Sequence, residues 1–124
     1  MDYSQEYIPS VNRSQKMPHD PHLADRMRAA LARRDGIGER AMFGGYCWML
    51  NGNMLCGVEV GRFMFRVGKE LETRALAKSG TEPIVFSGRR MRGFVWVDEK
   101  ACRGRGLESW IELAGRFVRT LPAK

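Results

Sequence analysis

Between Arg40 and Glu59 the chain carries no charged residue. An uncharged stretch of that length is close to the ~18 apolar residues that would serve as a membrane span. Its interior argues otherwise, because Asn51-Gly52 sits between two apolar segments, and Asn-Gly in that setting is the strongest short hairpin signal. The stretch also contains Gly44, Gly45, Asn53 and Gly57. It therefore reads as two strands folded back on each other. The N-terminus, MDYSQEYIPS, has no basic segment followed by an apolar core and does not resemble a signal peptide.

The hairpin anchors the rest of the chain. Strands are predicted over 41–50, 54–60 and 63–67, forming an antiparallel meander with turns at Asn51-Gly52 and Gly61-Arg62. A first helix is predicted over 23–34, where Leu23, Met27, Ala30 and Leu31 recur at helical spacing and Gly36 follows as a stop. KELETRALAK over 69–78 is rich in strong helix formers and reads as a second helix ended by Gly80. Two further strands, 83–86 and 94–97, flank a basic loop over 87–93, SGRRMRG. A third helix spans 107–121, with Leu107, Trp110, Ile111, Ala114, Phe117, Val118 and Leu121 on one stripe. The element order α-β(3)-α-β(2)-α implies an α+β fold, a two-layer sandwich with helices on one face of an antiparallel sheet. Residues 1–21, punctuated by Pro9, Pro18 and Pro21, are expected to be a flexible extension, and 22–124 the domain.

Several function classes are disfavoured. His19 and His22 are the only histidines and both lie at the N-terminal edge, so no nucleophile-base set is expected inside the core. The glycines of Gly44-Gly45 sit between strand residues rather than ahead of a helix, which does not fit a phosphate-binding or dinucleotide loop. Three cysteines without a CxxC indicate neither a disulfide framework nor a four-thiolate zinc site, and a reducing cytoplasm suits them. No cofactor or metal is expected, and the expected class is non-enzymatic. The net charge of +7 favours acidic partners without naming one.

Residues 22–121 resemble the N-terminal domain of the TfoX/Sxy family, bacterial regulators of natural competence. The carrying residues are Met42-Phe43-Gly44-Gly45, the aromatic strand and Asn51-Gly52 turn after them, the run FMFRV over 63–67, Glu72-Thr73-Arg74, and Gly80 to Pro83. The resemblance implies an α-β(3)-α-β(2)-α sandwich similar to secretion chaperones. Full-length competence regulators carry a second, C-terminal domain; none is expected within these 124 residues, and a stand-alone form is the expectation. Together with the chaperone-like fold, the resemblance implies a regulatory or adaptor domain acting through protein contacts.

Strand alternation then assigns faces. With Asn51 and Gly52 as the central turn residues, Met49 is expected opposite Met54 and Cys47 opposite Cys56. Cys47, Met49, Met54, Cys56, Val58, Val60, Phe63, Phe65 and Val67 are expected under the helices, with both thiols buried and reduced. The opposite face would carry Tyr46, Trp48, Leu50, Leu55 and Met64 as a partner-binding surface, used first for homodimerisation. Arg62, Arg66, Arg89, Arg90 and Arg92 are candidate anion or nucleic-acid contacts, and the alternative function is a nucleic-acid-binding accessory domain.

Overall fold

The computed structural model of the chain describes residues 20–42 and 45–124. The expected extension therefore lies outside the described residues up to His19. Asp20 already caps the first helix, α1 (Pro21–Leu31), its carboxylate accepting from the N–H groups of His22 at 3.0 Å and Leu23 at 3.4 Å. Pro21 occupies the start of the helix, where its missing N–H costs nothing.

Six strands follow in one antiparallel sheet: β1 (Ile37–Met42), β2 (Gly45–Leu50), β3 (Asn53–Glu59), β4 (Arg62–Arg66), β5 (Thr81–Phe86) and β6 (Arg89–Asp98), ordered β1-β2-β3-β4-β6-β5. A short α2 (Glu72–Leu76) lies between β4 and β5. A 3-10 turn (Glu99–Cys102) and α3 (Gly106–Val118) close the chain. The fold is α+β, a helical layer on a single antiparallel sheet. The segment expected as one strand over 41–50 is divided, so that β1 becomes an additional edge strand paired with β2 from Ile37↔Leu50 to Met42↔Gly45.

The arginine-rich segment 87–93 is not a loop. Ser87 and Gly88 alone make the turn, with φ values of 53° and 76°, the paired left-handed conformation that a two-residue hairpin demands. Arg89, Arg90 and Arg92 therefore belong to β6. The other short turn lies at Val60-Gly61, one residue earlier than expected, and leaves Val60 62% exposed rather than in the core.

The main core lies between the helices and one sheet face. Met27 and Leu31 of α1 and Trp110, Ile111, Ala114 and Val118 of α3 pack on Trp48, Leu55, Phe63, Phe65, Val95 and Val97. Phe65 stacks on Trp110 with ring centroids 5.6 Å apart. Beyond α3 the chain returns to the first hairpin: Asn53 donates its side-chain amide to the Pro122 carbonyl at 2.9 Å, and Lys124 N–H donates to the Asn51 carbonyl at 2.8 Å.

Face assignment needs correction in β2 and at the start of β3. Met49 does oppose Met54, but the next pair is Trp48↔Cys56, so Leu55 is an extra residue in a β-bulge. One unpaired residue shifts the two-residue period. Leu55, Cys56 and Val58 all reach the helix-side core, and β2 turns over relative to β3. Trp48, Leu50 and Leu55, expected on the partner-binding face, are 2%, 8% and 1% exposed within the core, and Tyr46 packs against it. Cys47 opposes Gly57, and the two thiols lie in different clusters on opposite faces. Both are buried and free, as is Cys102.

Candidate functional site

On the face opposite the helices, a second cluster is built by Cys47, Met64 and Ile84, with Met54, Met91, Phe94 and Trp96 packed against it. Its middle row crosses the whole sheet through the paired positions Arg40, Cys47, Gly57, Met64, Trp96 and Glu82. Gly57 makes room at the centre: a Cβ there would lie 2.9 Å from the Tyr46 carbonyl oxygen and 3.2 Å from both Cys47 Sγ and Met64 Cε. A shallow groove of about 150 Å³ runs over this surface between β2 and β5. Thioethers and rings dominate it, and such groups adapt to varied apolar partners.

Charge frames the cluster. The Arg62 guanidinium lies 3.9 Å over the Trp96 ring and is ion-paired with Glu59 at 2.8 Å, while Glu82 approaches it at 3.5 Å. Arg66 sits where β4 leaves the sheet, its guanidinium 5.2 Å from the Phe94 ring centroid and 5.7 Å from that of Phe117. Its only hydrogen bond among the described residues is a long one, 3.5 Å, to the Met54 carbonyl. Burial lowers the Arg66 pKa from its ordinary value.

The remaining sequence-derived candidates separate. Met64 holds its expected place on the open face. Tyr46 lies on the helix side, with the Arg28 guanidinium 5.5 Å from its ring. Met42 ends β1 and Gly45 begins β2, whereas Phe43 and Gly44 lie outside the described residues. Arg89 is exposed on β6 opposite Phe86.

Arg90 and Arg92 are bound to a carboxylate that the sequence reading passed over. Glu72, 1% exposed, accepts from Arg92 Nε at 2.9 Å, Arg90 Nη2 at 2.9 Å and the Gly93 N–H at 3.0 Å. Burial alone would raise this carboxyl, but the hydrogen bonds from Arg92, Gly93 and Arg90 together hold it below the usual carboxylate range. This triad fastens α2 to β6 and removes two of the five candidate arginines from service as free cations.

Ile84, Met91, Phe94 and Trp96 were missed as site residues. The signal was present in the run Phe94-Val95-Trp96-Val97, apolar on both alternations, which marks a strand with apolar groups on both faces. Among the described residues no group of three or more His, Cys, Asp or Glu could hold a metal ion, and no helix is long and apolar enough to cross a membrane.

A family model described as the TfoX N-terminal domain matches residues 29–118, most of the chain. Neither a curated protein nor a solved structure matches it. The chain belongs to the TfoX N-terminal domain family.

Proposed function

We propose that this member of the TfoX N-terminal domain family is a non-enzymatic, cytoplasmic regulatory or adaptor module that works through protein contacts on the open sheet face, a second copy of the chain being the first such contact. The observation that carries this reading is the Met54, Met64, Met91, Phe94 and Trp96 surface, on which no helix of the described residues packs. Apolar patches rimmed by charge are characteristic of protein interfaces, with aromatic groups as anchors.

Self-association has support in the charge layout. A two-fold axis along the strands would bring Arg40 at the β1 edge of the middle row against Glu82 at the β5 edge of the other copy, a self-complementary arrangement. Nucleic-acid binding has weaker support, because Arg62, Arg90 and Arg92 are already paired with carboxylates.

Light scattering over a concentration series tests the reading, using wild type and Val85→Glu. Val85 lines the groove and is 61% exposed, so the substitution leaves the core intact. The expected result is a wild-type dimer and a folded monomeric variant. A wild type that stays monomeric at every concentration, or a variant that dimerises equally well, would contradict it.

A further inference from the structure

A second, larger depression of about 540 Å³ opens at the end of the sheet, where the β4–α2 connection, β6 and the C-terminal part of α3 meet. Its lining includes Arg66, Lys69, Arg92 and Arg116, with the rings of Phe94 and Phe117. Glu70 is its one acidic lining residue. We propose that this depression is a binding site for the phosphate group of a small molecule, with Arg66 as the receptor group and Lys69 and Arg116 completing the cationic rim.

Arg66 carries the argument. A guanidinium has five N–H donors in a planar fork, and here only one is used, in a 3.5 Å bond to the Met54 carbonyl. The side chain is half-buried, yet forms no ion pair with a carboxylate among the described residues, unlike Arg62, Arg90 and Arg92. Phe94 and Phe117 hold it from two sides, which fixes its orientation before any ligand arrives. A held, uncompensated guanidinium suits bidentate pairing with an oxyanion.

Its neighbours point to phosphate rather than a single carboxylate. Lys69 and Arg116 are exposed and form no ion pair within 4 Å among the described residues, so with Arg66 three cations line the depression against one lining carboxylate, Glu70, while Glu112, one turn earlier on α3, also feels the Arg116 charge. The carbonyls at the end of α3 are satisfied within the chain and need no donor from the cationic rim: Arg119 N–H donates to Gly115, Leu121 N–H to Val118, and Thr120 gives both its N–H and its hydroxyl to the Phe117 carbonyl. The volume falls within the ~300–1,000 Å³ of small-molecule pockets, enough for a mononucleotide. The site borders the proposed contact surface, sharing Phe94 with it, but its cations lie outside that surface and a monomer would hold it equally well.

The test is a 1H–15N titration of the full chain with inorganic phosphate, adenosine monophosphate, acetate and a single-stranded oligonucleotide. Saturable shifts are expected at the amides of Gly68, Lys69, Gly93 and Thr120 with both phosphate compounds, tighter with the nucleotide, and at least tenfold weaker with acetate. Arg66→Gln should weaken phosphate binding at least tenfold while melting as a folded protein. Lys69→Glu with Arg116→Glu, both at exposed positions, should do the same without touching the core. Shifts that do not saturate, acetate binding as tight as phosphate, or an unchanged response in Arg66→Gln would overturn the proposal. So would binding confined to the oligonucleotide, with shifts centred on Arg89.

Discussion

Replacing Glu72 by Gln removes one charge from a site that the fold almost seals. The carboxylate accepts three bonds of 2.9–3.0 Å, two from guanidinium groups and one from the Gly93 N–H. The amide keeps the shape and one acceptor oxygen, but its NH2 group must face a donor. Hydrogen bonds to charged groups contribute about 1.5–3 kcal/mol each. Arg90 and Arg92 side chains are 48% and 58% exposed and regain water when the charge goes, so the loss stays below the ~3–5 kcal/mol of a stranded buried ion. We expect a cost of about 2–3 kcal/mol near neutral pH, or roughly 8–12 °C in Tm for a domain of this size. Because the folded-state pKa of Glu72 is depressed below its ordinary value, its contribution is present above the unfolded value and is lost as pH falls through the lower folded value. Thermal unfolding by circular dichroism should therefore show a gap between wild type and Glu72→Gln that is full at neutral pH and closes in strong acid. A gap under about 0.5 kcal/mol at neutral pH, or one that persists unchanged in acid, would mean that the Glu72 charge does not stabilise the fold.

Trp48→Ala should cost about 3–5 kcal/mol, because the ring is a core group 2% exposed. Trp96→Ala, on the open face, should cost under about 2 kcal/mol and leave the fold intact; chemical denaturation of the two variants checks the corrected face assignment. Burial pushes the Cys47 thiol up to about 11, Cys102 up to about 12, and Cys56 higher still. Thiol titration near pH 8 should accordingly label all three slowly in the native protein and rapidly once it is unfolded, and immediate native labelling of Cys47 would place it at the surface.

Much of the architecture was legible because its local signals agree with its packing. The Asn51-Gly52 turn set the Met49↔Met54 pair correctly, and the stripe from Leu107 to Val118 lies in the core as α3. What failed was the propagation of that register. Nothing in Leu55 or its neighbours announces a bulge, yet one extra residue was enough to bury Trp48 and Leu50 instead of displaying them. β1 was missed because an edge strand needs to bury only one face, and Glu39 and Arg40 obscure that pattern. The arginines of 89–92 hid a hairpin whose Ser87-Gly88 turn is sound chemistry, and the carboxylate holding two of them is 18 residues from Arg90 and 20 from Arg92 in the chain, a pairing that alternation cannot reveal.

Methyl spectra of methionine-labelled protein over a dilution series would show whether the open face is the contact surface and a second copy binds it. Met54, Met64 and Met91 lie on that face and Met27 lies in the helix-side core, so one spectrum reports on both sides of the sheet. The Met54, Met64 and Met91 methyls should shift together with concentration, at the midpoint where light scattering shows dimer formation, while Met27 stays fixed. Dimer formation that leaves these three signals unmoved, or spectra that do not change at any concentration, would contradict it.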